Sequence, residues 1–188
     1  MTKKFNKTNE NISIVGFSNV KIENTNTFLE HFRKENKEAP IQFFDAKHVA
    51  GHQHMYFAAI NALNAFKKKS NISNSLAVEA LLYASAQRQI KKAVKMLGIK
   101  QNTSEVAALI MSKNSHKKEN YIFRVTETIP GKRNDNVLEL TDKKIKDIKK
   151  LFDISDLEFK AKLKKEGLEK ETLTDLVIER MALLVTKS

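Results

Sequence analysis

The sequence predicts a mixed α/β fold of the α+β class, in which a small central, mostly antiparallel sheet is flanked by helices and the C-terminal third is helical. Helical spacing of apolar residues alternates along the chain with short β-prone runs, which gives the element order β-α-β-α-α-β-β-α-α-α. The chain has 188 residues and no evident linker or repeat, so we expect one domain over 1–188. Its polar N-terminal residues, 1–10, are expected to form a frayed extension.

The first half of the predicted sheet comes from two strands separated by a short helix. Alternating apolar residues indicate a strand over 12–17, although the alternation breaks at Gly16. Thr27 is the candidate N-cap of the helix that follows, and Pro40 ends it. Residues 41–44 then predict a second, buried strand.

Helices fill the middle of the chain. Apolar residues over 52–68 follow the 3.6-residue period of a helix that packs on a core. Either Ser73 or Ser75 is placed to cap the next helix, and Ser85 is the candidate cap of a further one that runs to Leu97.

The remaining elements are two strands and then three helices. Residues 105–111 are apolar and β-prone, and 121–126 alternate, so we expect two strands joined by a hairpin-type connection. Beyond them, helical periodicity predicts helices over 141–152, 155–165 and 172–185.

The composition excludes several classes of protein. There is no cysteine, which removes disulfide scaffolds, thiolate zinc sites and cysteine nucleophiles. No apolar run is long enough for a transmembrane helix, and the polar start does not resemble a secretory signal, so we expect a cytoplasmic protein without a membrane partner. The chain carries 34 Lys and Arg against 22 Asp and Glu, a formal net charge of +12.

More than half of that excess lies in 41–100, which holds nine basic residues and only two acids, Asp45 and Glu79. Such a local field attracts polyanions or an acidic protein surface. The helix predicted up to Leu97 has one basic face, formed by Arg88, Lys91, Lys92 and Lys95. Its opposite, apolar face is formed by Ile90, Ala93, Val94 and Leu97.

Motifs for catalysis are absent. The five glycines are isolated, so no phosphate-binding loop or dinucleotide fingerprint can be drawn. His48, His52 and His54 lie within seven residues and raise the hypothesis of a metal-dependent enzyme, with Asp45 as the nearby carboxylate. The alternative is that they are helix-entry or surface histidines. Nothing in these patterns predicts an enzyme, and we expect no metal or other cofactor.

Three aromatic residues lie near the basic segment, namely Tyr56, Phe57 and Tyr83. Aromatic rings beside cations can stack on unpaired bases. Their helical spacing also suits packing in the core, and the sequence leaves both interpretations open.

Two blocks of sequence resemble a known family. They are the segment Asp-Ala-Lys-His-Val-Ala-Gly-His-Gln-His at 45–54 with the Ala-rich helix after it, and the segment 75–99, whose most specific part is Val78-Glu79 and Arg88-Gln89-Ile90. With the closing segment 175–184, they resemble the kinase-binding subunit of the KEOPS (EKC) complex, the PRPK-binding protein family. The Lys- and Asn-rich composition suggests an archaeal member.

The resemblance implies a non-catalytic role in tRNA modification. The family's complex installs threonylcarbamoyl on the adenosine beside the anticodon of ANN-decoding tRNAs, and its ASKHA-fold subunit performs the transfer. An atypical small kinase/ATPase of the PRPK family binds that subunit and also the PRPK-binding protein. Archaeal members of the family resemble a tRNA-recruiting subunit that grips the 3′ CCA end. The family's fold, a small sheet flanked by helices, agrees with the predicted element order.

On this interpretation the basic segment neutralises tRNA phosphates, and Arg88 stacks on a splayed base. The expected tRNA-binding residues are Lys47, His48, His54, Tyr83, Arg88, Lys91, Lys92 and Lys95. A kinase contact needs an exposed apolar surface, for which the candidates are Leu81, Leu82, Leu173, Leu176, Val177 and Met181. Core packing is the alternative for each of these six. A purely kinase-docking module without specific tRNA recognition is the alternative function.

Overall fold

The computed structural model describes residues 12–36, 40–112 and 117–184, and the extension expected over 1–10 lies outside them. A four-stranded antiparallel sheet with strand order β2-β3-β1-β4 forms its centre. The strands are β1 (Ile12–Ser18), β2 (Ile41–Asp45), β3 (Val106–Met111) and β4 (Lys132–Arg133). This confirms the small antiparallel sheet and the α+β class.

Helices cover both faces of the sheet. Those of the first two thirds are α1 (Thr25–Glu35), α2 (Gly51–Lys68), α3 (Leu76–Ser85), α4 (Ile90–Leu97) and α5 (Lys118–Thr128). The C-terminal third contains α6 (Asp142–Leu151), α7 (Asp156–Lys162) and α8 (Glu169–Ala182), so the three helices expected there are confirmed.

Strand β3 lies between β1 and β2 and is buried along its whole length. Successive side chains of a strand point to opposite faces of the sheet, so β3 supplies two separate cores. The larger core receives Ala107, Leu109 and Met111. The smaller core, on the other face, receives Val106, Ala108 and Ile110. A strand covered on both faces explains a continuous apolar run rather than an alternating one.

The two cores have different helical covers. Helices α2, α3, α4, α6 and α8 pack over the larger core, with Phe159 of α7 at its edge. Helices α1 and α5 pack over the smaller one, where the rings of Phe32 and Phe43 meet edge-on with centroids 4.8 Å apart. The sheet therefore separates two helical layers, and surfaces on α4 and on α5 lie on opposite sides of the protein.

The strand predicted over 121–126 is wrong, because these residues form helix α5. Tyr121, Val125 and Ile129 are buried at a spacing of four residues, whereas Phe123 is 63% exposed. The apparent alternation was part of a helical period in a short apolar run. Strand β3 also has no free edge for a hairpin partner, since β1 and β2 occupy both of its sides.

The N-caps show which polar residue begins each helix. Asn24, not Thr27, caps α1, because its side chain accepts the Thr27 N–H at 3.1 Å. Ser75, one of the two expected residues, caps α3. Thr141 and Ser155 cap α6 and α7 in the same way.

Candidate functional site

The two acids of the basic segment 41–100 both point inward. Asp45, at the end of β2, is 7% exposed. Its Oδ1 accepts the Lys47 N–H at 3.1 Å, and its Oδ2 accepts the Thr103 hydroxyl at 3.4 Å. The same Thr103 hydroxyl accepts the Lys100 N–H at 2.8 Å. Asp45 thus ties the end of β2 to the loop that follows α4 and adds little negative charge to the surface.

Glu79 is fully buried on the first turn of α3. Its carboxylate accepts the backbone N–H groups of Ile72, at 3.1 and 3.0 Å, and of Ser73, at 2.7 Å. Charge-assisted bonds of this kind stabilise a buried carboxylate. Glu79 therefore holds the loop before α3 in place, and its carboxylate is hydrogen-bonded to backbone N–H groups inside the protein.

Helix α4 presents a basic surface within this segment. Its basic face consists of Lys91, Lys92 and Lys95, which are all exposed as predicted. The first turn holds no acidic residue, and Gln89 provides no side-chain cap. Because the first N–H groups of a helix lack intrahelical partners, the amino end of α4 adds positive partial charge to that of its lysines.

Arg88 does not lie on this helix, which corrects the expectation that α4 begins at Ala86 behind a Ser85 cap. Ala86 adopts a left-handed conformation (φ 51°) that ends α3. The Ser85 hydroxyl is buried and donates to the Leu81 carbonyl at 2.8 Å, so it cannot cap the next helix. Arg88 is exposed in the turn before α4, and its Nη1 lies 3.4 Å from the Leu184 carbonyl oxygen.

Two residues of the predicted apolar face of α4 are on the surface. Ala93 and Leu97 are fully buried, but Ile90 is 48% and Val94 is 45% exposed. The two exposed residues are one turn apart and form an apolar strip beside the basic face. An eight-residue helix buries only a narrow stripe, which leaves half of the predicted apolar face of α4 exposed.

His54 is fully buried and cannot contact tRNA, which corrects its assignment as a binding residue. Its Nδ1 accepts the Ala50 N–H at 3.0 Å, which leaves Nε2 to donate to the Ala84 carbonyl at 2.8 Å. Burial lowers the pKa of His54 to about 4, and the bond to Ala84 opposes this only in part. The neutral ring is a structural link between α2 and α3.

The bonds of His54 also remove the three-histidine metal site. Both of its ring nitrogens are engaged with the backbone, so neither can bind a metal ion. Within 12–36, 40–112 and 117–184, no three His, Cys, Asp or Glu side chains form a group that could hold one. His52 is exposed at the start of α2, and partial burial lowers its pKa while Asp135 acts in the opposite direction.

Lys47 and His48 lie in a 3₁₀ turn after β2. Lys47 is exposed, and His48 is partly exposed with Nδ1 3.8 Å from Asp45 Oδ2. Thr103 joins Asp45, which precedes this turn, to the loop after α4. The Lys47 side chain is available to a ligand at the surface, and that of His48 is available in part.

Tyr83 is 6% exposed and belongs to the larger core, so its ring offers no face to a base. This corrects its assignment as a stacking residue. Burial, and then the charge of Glu79, raise the pKa of its hydroxyl, while Arg88 acts in the opposite direction. Tyr56 and Phe57 are partly exposed and pack edge-on with centroids 5.8 Å apart.

All six residues proposed for the kinase contact are buried in the larger core, with exposures of 2% or less. They therefore form no exposed apolar surface, and core packing is the correct interpretation of Leu81, Leu82, Leu173, Leu176, Val177 and Met181. Their helical spacing is that of a buried helix face, and here the face is buried. Ile90 and Val94 on α4 have the same helical spacing but are exposed, so spacing alone does not show which apolar residues are buried.

A groove of about 790 Å³ lies at the amino end of α2, where no sequence pattern indicates one. Gly51 begins that helix with a positive φ of 86°, and the Thr174 hydroxyl donates to the Ala50 carbonyl at 3.0 Å. Among its described lining residues are three carboxylates, Asp135, Glu139 and Glu171, and one lysine, Lys170. This excess of acid does not favour a polyanion such as tRNA.

Over the described parts of the chain, no helix combines the length and hydropathy needed to cross a membrane.

Comparison with known proteins shows which family the chain belongs to. A family model described as "Kinase binding protein CGI-121" matches residues 17–184. The chain is also 32% identical to "Regulatory protein Cgi121" of Methanocaldococcus jannaschii over 114 residues, which are 61% of this chain and 70% of that protein. The family match includes the basic face of α4, its apolar strip and both buried acids.

Proposed function

Since the chain belongs to the CGI-121 family of kinase-binding proteins, we propose that it is a non-catalytic, cytoplasmic subunit of a KEOPS complex. In this role it docks on the complex's atypical small kinase/ATPase and, through that protein, joins the ASKHA-fold threonylcarbamoyl transferase. It recruits tRNA by binding the 3′ CCA end. The kinase-binding part rests on the family, and the tRNA part rests on the resemblance of the sequence blocks together with the charge of α4.

The observation that carries tRNA recruitment is the uncompensated positive charge around α4. Asp45 and Glu79 are buried and bonded to neighbouring groups, so neither neutralises Lys91, Lys92 or Lys95. Arg88, Lys91 and Lys92 lie at the uncapped amino end of the helix, which is an arrangement that attracts phosphate, and Lys95 extends the basic face into its last turn.

Recognition of the 3′ end needs more than phosphate contacts, because contacts to the backbone are shared by every RNA. Arg88 supports this second requirement, since an exposed guanidinium beside a helix amino end can stack on an unpaired base. The neighbouring apolar strip, Ile90 and Val94, offers the same base a surface to lie on.

The apolar strip also supports the second candidate function, a kinase-docking module without specific tRNA recognition. Exposed apolar side chains with a charged rim are typical of protein interfaces. On that interpretation Lys91 and Lys95 face acidic residues of the kinase.

A salt-titrated binding measurement with one tRNA, intact and with its CCA end removed, distinguishes the two functions. If the protein recruits tRNA by its 3′ end, trimming abolishes binding at moderate salt, and the affinity for intact tRNA falls steeply with ionic strength. Equal binding of both forms would mean that only the phosphate backbone is recognised. Kinase docking would then be the function, and the lysines would serve the protein interface.

A further inference from the structure

A second basic surface lies on the side of the sheet opposite α4. A pocket of about 320 Å³ separates the carboxyl end of α1 from the amino half of α5. Lys34 enters it from α1, and Lys117 and Arg124 enter it from the α5 side. Both helices cover the smaller core, whereas α4 covers the larger one, so the pocket and the basic face of α4 are separate sites.

The lining of the pocket is basic. Among the described residues that line it, Lys34, Lys117 and Arg124 are cations and Glu35 is the one carboxylate, which gives these residues a formal net charge of +2. Glu35 also has a second interaction, since its Oε1 lies 3.5 Å from Nδ1 of His31 on the exposed side of α1. Cations that converge on one cavity repel one another, and an anion bound between them relieves that repulsion.

Asn36 supplies an independent sign of a ligand. The residue is 7% exposed and lines the pocket. Its Nδ2 donates to the Phe32 carbonyl at 3.0 Å, which sets the orientation of the amide, and its Oδ1 is buried without a partner among the described residues. A buried carbonyl oxygen without a donor is costly to the folded state. Inorganic phosphate as the monohydrogen dianion pairs with the cations, and its one O–H is the only donor that it could offer to this oxygen. A larger ligand that has a phosphate group and a separate N–H or O–H donor satisfies both the cations and Asn36.

We propose that this pocket binds a nucleoside phosphate. Its phosphate group is held by Lys34, Lys117 and Arg124, and a base amino group or ribose hydroxyl donates to Asn36 Oδ1. The volume is at the lower end of the range for ligand pockets, which suits a single nucleotide. Phe123, which is 63% exposed and one helical turn from Asn120 in the pocket wall, provides a ring against which the base stacks.

The proposal is tested by calorimetry on the full-length protein with three separate probes, which are adenosine 5′-monophosphate, inorganic phosphate and adenosine. We expect the nucleotide to bind at least about tenfold more tightly than either of its parts, because only the nucleotide combines a phosphate group for the cations with a separate donor for Asn36. Binding of inorganic phosphate as tight as that of the nucleotide, or no binding of the nucleotide, would overturn the proposal.

Variants locate the site. Lys34→Ala and Arg124→Ala are each expected to weaken nucleotide binding about tenfold, since each removes a charge-assisted bond. Arg33→Ala is the matched control, because Arg33 is exposed on the same last turn of α1 but does not line the pocket. Asn36→Asp places a negative charge beside the phosphate and is expected to abolish binding. Equal losses in Arg33→Ala and Lys34→Ala would show non-specific attraction and refute the site.

Two further measurements show whether the ligand is a free nucleotide or an RNA end, and whether the pocket is independent of the basic face of α4. A short RNA with a terminal phosphate that binds more tightly than the mononucleotide indicates an RNA end, and equal affinities indicate a free nucleotide. The Lys91→Glu/Lys95→Glu variant is expected to keep full nucleotide affinity, because those residues are on the other side of the sheet. Loss of nucleotide binding in that variant would contradict a separate site.

Discussion

His54 donates through Nε2 to the carbonyl oxygen of Ala84 at 2.8 Å, a bond that joins α2 to the last turn of α3, 30 residues later. The donor is assigned because Nδ1 already accepts the Ala50 N–H. The ring also packs edge-on against Phe152, with centroids 5.7 Å apart. His54 thus holds in place the helix that leads into the turn before α4, and it does so only as a neutral ring.

Acid is therefore expected to destabilise the fold through His54. Its pKa is about 4 in the folded protein, against the ordinary histidine pKa of 6.5 in the unfolded chain, so the unfolded chain takes up the proton first. The stabilisation is complete above pH 6.5 and is lost as the pH falls from there towards 4, with a loss of about 3 kcal/mol in all. Urea unfolding between pH 7 and pH 5 measures the slope. His54→Gln cannot titrate, and an unchanged slope in that variant would contradict this origin.

The buried carboxylate of Glu79 is expected to be a major source of stability for the loop before α3. Glu79→Ala leaves the N–H groups of Ile72 and Ser73 without their acceptor, at a cost of about 3 kcal/mol in the free energy of unfolding. Urea denaturation at neutral pH measures it. Glu127→Ala, on the exposed face of α5, is the control and is expected to cost less than about 0.5 kcal/mol. Similar losses in both variants would refute the role of Glu79.

Reversing charge on the basic face of α4 is expected to weaken tRNA binding without unfolding the protein. Lys91→Glu with Lys95→Glu removes two cations from an exposed surface, so affinity falls at least about tenfold and its salt dependence becomes shallower by roughly 0.7 to 0.9 per lost contact. Lys160→Glu with Lys164→Glu changes the net charge equally on another surface. If this control loses as much affinity, the attraction comes from the net charge of the protein.

Arg88 separates charge from stacking. Arg88→Glu is expected to reduce tRNA affinity strongly, whereas Arg88→Lys keeps the charge but removes the planar guanidinium. An intermediate loss in Arg88→Lys, confined to tRNA with an intact CCA end, supports contact with a base. Thermal unfolding checks that the bond to the Leu184 carbonyl is not needed for folding. Unchanged binding in Arg88→Glu would exclude the turn before α4 from the tRNA interface.

The apolar strip provides the test of the kinase interface. Ile90→Ser with Val94→Ser is expected to lower kinase affinity by roughly 10- to 100-fold if these side chains are buried in that complex, because two central apolar contacts are lost. Leu157→Ser is the control, since Leu157 is 82% exposed on α7. Kinase affinity is measured by titration of the purified proteins. A loss in the control alone would move the interface to α7.

Much of the candidate site was accessible from the sequence. The surplus of lysines over 41–100, their spacing along α4 and the cap at Ser75 are local patterns, and the structure contains each of them. Local patterns are set by helix geometry and by backbone groups a few residues away, which the sequence specifies directly. The buried central strand β3 is also of this kind, because six consecutive apolar residues suit a strand covered on both faces.

Other features depended on contacts between distant parts of the chain. The sequence pattern of residues 121–126 is compatible with a strand or with a helix. They form a helix because both edges of β3 are already paired and because a helix buries their apolar side chains in the smaller core. Histidine and tyrosine are residue types that often contact RNA, which is why the sequence suggested His54 and Tyr83. His54 instead bonds to Ala84, 30 residues away, and Tyr83 is enclosed by the larger core.

The sequence by itself determined the class of fold, the order of most elements and the sign of the charge on α4. Tertiary structure alone decided which side chains reach the surface. Leu173 and Ile90 carry the same apolar, helical signal, yet Leu173 is buried and Ile90 is 48% exposed. Periodicity shows that a helix has two faces, but exposure depends on what packs against them, and that is set by residues far apart in the chain.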